Sequence, residues 1–150
     1  MILYALKPFK ECGPIVAGIS FSKVQKLFAD HRVFNKGENH VTSLILDQSM
    51  HVYYNEHGIC TGVEVMSPFL PGHNYQLVWN GINFLNESLD NIIKLLKKRG
   101  CIIEIIDTGA NIPELGLSLY SDEYETDLHC NIDAVYVELS KSVVSRPTVR

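Results

Sequence analysis

The clearest periodicity in the chain lies between positions 86 and 100. Leu89, Ile92, Ile93 and Leu96 recur at i, i+3, i+4 and i+7, the spacing that gathers apolar side chains on one side of a helix. Asn86 or Ser88 can cap the free N–H groups at its start. Lys94, Lys97, Lys98 and Arg99 cluster in the last turns, where the helix dipole favours cations, and Gly100 is a natural stop. A shorter helix is expected from Phe21 to Ala29. Val24, Leu27 and Phe28 would form its buried face, with Ser20 or Ser22 as cap. Ser22 and Gln25 have the spacing of a capping box.

Elsewhere the period is two, or the runs are short and β-rich. Thr42–Leu46 and His51–Tyr54 are separated by the turn-like Asp47-Gln48-Ser49, and Asn55-Glu56-His57-Gly58 makes a second turn before Ile59–Met66. In that last run Val63 and Val65 alternate with Gly62 and Glu64, as in a half-buried strand. Tyr75–Trp79, Cys101–Ile106, Leu115–Tyr120 and Ala134–Leu139 are further strand candidates. Tyr53, Tyr54 and Trp79 sit in apolar patterns and read as core. Pro68, Pro71 and Gly72 mark a connection between halves. Residues 121–131 read as an exposed loop, and the tail after Lys141 carries no core pattern and should fray. Gly18-Ile19-Ser20-Phe21 is echoed 63 residues later by Gly81-Ile82-Asn83-Phe84. The expectation is therefore α+β: helix–strand–strand–strand twice over. A mainly antiparallel sheet would carry two helices on one face and leave the other partly open. All 150 residues would form one domain with loose halves, about 1–70 and 75–140.

Composition adds little to this, but the distribution of charge adds more. With 46% apolar and 20% charged residues, the chain has the make-up of a soluble globular protein. Its N-terminus lacks a basic region before a long apolar core, and no apolar run approaches the roughly 20 residues of a membrane helix. The expectation is a cytosolic (cytoplasmic) protein with no membrane partner. The net charge of −4 conceals a segregation. Between Cys101 and Ser140 lie nine acids and no lysine or arginine: Glu104, Asp107, Glu114, Asp122, Glu123, Glu125, Asp127, Asp133 and Glu138. That segment carries −9 and the rest +5. Such a field repels nucleic acid and attracts a basic protein or a cation. Its bland alternative is a set of solvated strand faces and loops.

Candidate chemistry is sparse. No phosphate-binding glycine loop, metalloprotease helix, nucleophile elbow or calcium loop occurs. The six histidines fall mostly in turns or at element ends; only His51 and His57 could meet across a hairpin. Asp127, His129 and Cys130 look like a reactive cluster. Adjacent strand residues point to opposite faces, however, so His129 is poorly placed to activate Cys130. Cys12, Cys60, Cys101 and Cys130 are too widely spaced for a zinc site or compact disulfide framework and read as free, mainly buried thiols. No catalytic residue, metal or cofactor is expected.

The stretch Gly18-Ile19-Ser20-Phe21-Ser22-Lys23-Val24, followed by His51-Val52-Tyr53-Tyr54-Asn55-Glu56-His57-Gly58-Ile59, resembles the helix-then-hairpin pattern of small bacterial immunity proteins. The later stretches Leu115–Ser121 and Ile132–Val137 are similar. Such proteins partner polymorphic toxins, including those of contact-dependent growth inhibition. The repeated layout is also similar to β-lactamase-inhibitor-like and outer-membrane assembly lipoprotein folds, but without their lipobox. What the resemblance implies is an inhibitor that binds a cognate toxin domain and blocks its active site. Nuclease toxins are basic because they hold phosphate, so an acidic inhibitor matches their field. The expected contacts are Asp122, Glu123, Glu125 and Asp127, with Tyr120 and Tyr124 as aromatic anchors. The competing expectations are a small-molecule binder or enzyme using the open sheet face, and an adaptor module.

Overall fold

Two α-helices form where the apolar stripes place them. In a computed structural model, residues 2–28, 34–36, 42–45, 50–67, 75–85, 87–122 and 129–140 are described. Helix α1 spans Phe21–Leu27 and α2 spans Leu89–Lys98. Each is capped by a serine: the Ser20 hydroxyl accepts from the Lys23 amide and the Ser88 hydroxyl from the Asn91 amide, at 3.3 and 3.1 Å. Ser20, not Ser22, is thus the α1 cap, and Asn86 lies outside the described residues. Leu89, Ile92 and Leu96 are buried on α2, and Ile93 is half-buried against the same core. On α1 the expectation needs correcting. Val24 and Phe28 are buried, but Leu27 is 51% exposed. Val24 and Phe28 stand four apart on one face, and seven residues are too few for a wider one.

Thirteen strands surround these helices among the described residues. The first half holds β1 (Ile2–Lys7), β2 (Glu11–Cys12), β3 (Ile15–Val16), β4 (Phe34–Lys36), β5 (Thr42–Ile45), β6 (Met50–Tyr54) and β7 (Cys60–Met66). The second holds β8 (Tyr75–Trp79), β9 (Ile82–Asn83), β10 (Glu104–Ile106), β11 (Gly109–Ile112), β12 (Leu117–Tyr120) and β13 (Ala134–Glu138). They form a five-stranded sheet, β3-β2-β1-β8-β9, and an eight-stranded one, β10-β11-β12-β13-β7-β6-β5-β4. All pairings are antiparallel except β1 with β8. The α+β class with mainly antiparallel sheets therefore stands. Each helix is followed by four strands rather than three, because β4 and β11 are added. Leu115 belongs to a 3-10 turn at Pro113–Leu115, and β12 starts after it.

The large sheet is palindromic. Its centre is the β7–β13 pair, where Val63, Glu64 and Val65 oppose Val137, Tyr136 and Val135. Outward from that centre, β6, β5 and β4 on one side match β12, β11 and β10 on the other. Ser20 and Ser88 are equivalent: each caps its helix and each makes an isolated bridge, to Ile59 and Asn131 respectively, just before the last strand of its half. The internal repeat thus runs at 68 residues between caps, not 63. Gly18–Phe21 leads into α1, whereas Ile82 and Asn83 are a strand well ahead of α2, so that sequence echo pairs unlike places.

One face of the large sheet is core. Along one row Met50, Val65, Val135, Leu119 and Ala110 oppose one another in register, and all five are buried. Tyr4, Leu6, Tyr75 and Leu77 of the small sheet join them, with both helices, in one apolar cluster. The alternation of buried and half-exposed residues in β6 and β13 shows the opposite face to be only partly covered.

Candidate protein-binding surface

Residues directly opposite in a ladder share a face. On the half-exposed face of the large sheet the register builds a polar row: Glu104 opposes Asn111, Asn111 Ser118, Ser118 Tyr136, Tyr136 Glu64, and Glu64 His51. Period two adds Tyr53 beside His51, Tyr120 beside Ser118 and Glu138 beside Tyr136. Ser118 is buried, Glu104 is exposed, and the others are half-buried. Nδ1 of His51 lies 3.4 Å from Oε1 of Glu64, and the rings of Tyr53 and Tyr136 stand 5.8 Å apart at 60°. Tyr53 is thus a surface aromatic rather than core, whereas Tyr54 is buried and Trp79 half-buried. The Tyr136 ring lies over β7 because position 62 is glycine; a Cβ there would collide with the phenol. Oδ1 of Asn111 is buried with no hydrogen-bond partner.

Two of the expected contact residues belong to the rim of this face. Tyr120 ends β12, half-buried, and Asp122 follows it, exposed. The Asp122 amide donates to Oδ2 of Asp133 at 2.8 Å, and the Asp133 amide donates to the Tyr120 carbonyl at 2.8 Å. Asp133 thereby holds the backbone from Tyr120 to Asp122 in place. Glu123, Tyr124, Glu125 and Asp127, the other expected contacts, lie outside the described residues, as does the tail 141–150. Glu114 is likewise tied down, with Oε1 accepting from the Ile102 amide at 2.8 Å. Among the described residues no lysine or arginine pairs with Glu104, Asp107, Glu114, Asp122 or Asp133. These five carboxylates are not neutralised by a basic side chain of the described residues. At α2, Lys94 Nζ lies 3.2 Å from Asp90, and Nη2 of Arg99, just after the helix, donates to the Asn80 carbonyl at 2.9 Å.

Histidines and cysteines assemble no reactive constellation among the described residues. His57 stands 3.4 Å from its neighbour Glu56, and His129 stands 3.7 Å from Asp90. No group of three His, Cys, Asp or Glu there could hold a metal ion. Cys12, Cys60 and Cys130 are buried free thiols, and Cys101 is half-buried. Burial pushes the Cys12 thiol up to about 12, with Cys60 adding to it. Burial also raises Cys60, to about 11, against the lowering effect of a hydrogen bond from the Gly62 backbone.

Both thiols are therefore neutral in the fold, while unfolded thiols ionise near 9. Their contribution to stability is complete below pH 9 and is lost as pH rises through 11 and 12. Urea unfolding should be flat through pH 8 and weaken steadily above pH 9. Alkylation of the native chain at pH 8 should reach Cys101 first, and all four thiols only in denaturant. Rapid native labelling of Cys12 would contradict the buried placement.

Comparison of the chain with family models, curated proteins and solved structures finds no match. Among the described residues no helix is long and apolar enough to cross a membrane.

Proposed function

We propose that this chain is an immunity-type inhibitor that binds a basic toxin domain and blocks its active site, with no catalysis or cofactor of its own. The observation that carries this reading is the composition of one open sheet face. Tyr53, Tyr120 and Tyr136 are half-exposed there beside the carboxylates of Glu64, Glu104 and Glu138, and Asp122 stands at the rim. Tyrosine is the residue type that supplies binding energy at an interface centre, and surrounding acids set the encounter rate with a basic partner. Glu123, Tyr124, Glu125 and Asp127, which follow Asp122 in the sequence, are proposed as further contacts. A cytoplasmic site of action follows from the reading, since an inhibitor must meet the toxin where the toxin works.

The test begins with the protein encoded immediately upstream of this chain. Its expression should arrest growth, and co-expression of the chain should relieve the arrest. Neutralising Asp122, Glu123, Glu125 and Asp127 together should slow association and flatten its salt dependence, without loss of folding. Tyr120→Ala and Tyr124→Ala should each speed dissociation by roughly tenfold. Failure to relieve the arrest sinks the reading. An unchanged association rate at low salt for the fourfold variant would remove the acidic loop from the interface.

A second reading, a small ligand held on the open face, draws on the unpartnered Asn111 Oδ1. A ligand that supplied a donor there would lose affinity on Asn111→Ala.

A further inference from the structure

The outer strand β10 combines two properties that edge strands normally avoid. Among the described residues it is the last strand on its side of the large sheet and pairs only with β11, so every second residue turns its N–H and C=O outward. Two apolar side chains, Ile105 within it and Ile102 just before it, are also unshielded. Ile102 is 75% exposed and Ile105 52% exposed, more than any other large hydrophobic among the described residues. Edges are usually blunted by lysine, proline or a bulge, and Cys101–Asp107 contains no lysine or proline.

Register explains why Ile105 is bare. The core row Met50–Val65–Val135–Leu119–Ala110 continues to Ile105, which opposes Ala110. The sheet's apolar surface thus runs out to its edge and stops there uncovered. Carboxylates frame that edge: Glu104 lies between the two isoleucines, Asp107 is in the following turn, and Glu114 reaches across to the Ile102 amide.

We infer that β10 is an acceptor edge to which a basic, extended segment of a partner protein adds as a ninth strand. The inference rests on the inhibitor reading and specifies how part of the partner is held. Main-chain bonds to the outward amides would give affinity, and alternate side chains would give specificity. On one side the added strand would cover Ile105 and extend the core row. On the other, its lysine or arginine side chains would meet Glu104. Charge decides against a second copy of this chain as occupant. Pairing β10 with itself would crowd Glu104 and Asp107 of both copies along one ladder, and like charges across a ladder destabilise it.

The probe is an acetylated, amidated peptide of alternating lysine and valine, with a glutamate–valine peptide as control. The basic peptide should bind the intact chain, and the acidic one should not. Ile105→Lys and Glu104→Lys are surface changes that leave folding intact, and each should weaken binding by roughly tenfold or more. Hydrogen exchange should show new protection confined to residues 102–107 when the peptide is bound. Three results would overturn the inference: no binding of the basic peptide, unchanged binding in both variants, or protection on β6, β7 and β13 instead of β10. Concentration-dependent self-association abolished by Ile105→Lys would also overturn it, in favour of a second copy. None of these depends on the growth-arrest assay. Relief of toxicity with no peptide binding would keep the inhibitor reading and remove only the strand addition.

Discussion

Gly109→Ala is expected to destabilise the fold by roughly 2–6 kcal/mol, the sum of backbone strain and an overpacked contact. Gly109 has φ of 149°, in the range side-chain-bearing residues rarely adopt. A Cβ built there would run into the Leu119 carbonyl oxygen, a backbone atom inside the β11–β12 ladder. A flexible side chain could swing aside, but a paired carbonyl moves only if the strand moves with it. Leu119 is fully buried between Ala110 and Val135, so that movement would disturb the core row. Urea or thermal unfolding measures the loss. A change below about 1 kcal/mol would mean that β11 and β12 can slide past each other without disturbing the core.

The second large effect is expected at α2. Leu96 is fully buried, and Leu96→Ala should cost about 2–5 kcal/mol, the transfer term plus the cavity left behind. Leu27 of α1 provides the contrast. It has the same side chain but is 51% exposed, so Leu27→Ala should stay within about 0.5 kcal/mol. Equal losses at the two positions would contradict the assignment of buried faces. An intermediate loss is expected for Ile93, which is only partly buried.

Particular elements show what could and could not be read from the chain alone. Helix α2 was legible because four apolar residues, a serine cap, terminal lysines and a closing glycine all agree. Strand β7 was legible for the same reason, through Val63 and Val65 alternating with Gly62 and Glu64. Strand β1 was not. Its ILYALK run shows no hydrophobic–polar alternation, although Tyr4 and Leu6 are buried while Ala5 and Lys7 are exposed, because the exposed Ala5 is itself apolar. Strand β11, GANI, has a single β-branched residue and is specified by the ladders on either side. The 63-residue echo misled because three matching letters in four carry less information than two helix caps in equivalent places.

The candidate surface divides in the same manner. Asp122 and its neighbouring acids announce themselves by local charge, and Tyr120 by its position beside them. The row from Glu104 to His51 does not, since its members are scattered between positions 51 and 136 and meet only through strand register. Gly62 was read merely as the polar beat of an alternating strand. Its use, to make room for the Tyr136 ring, depends on a residue 74 positions further on. The exposed Ile102 and Ile105 were absorbed into a strand pattern that gave no sign of which strand would be outermost.

The palindromic order has a consequence for how the chain is made. Strand β7 completes the first half, yet its neighbour on one side is β13, and Val63 must wait for Val137. At about 5–20 residues per second on a ribosome, that interval is roughly 4–15 s. For those seconds the future middle of the sheet is a raw margin, with Val63 and Val65 in a strand lacking one partner. The most protected ladder of the finished molecule is thus its most vulnerable one during synthesis, and it heals only when nearly the last described residues emerge.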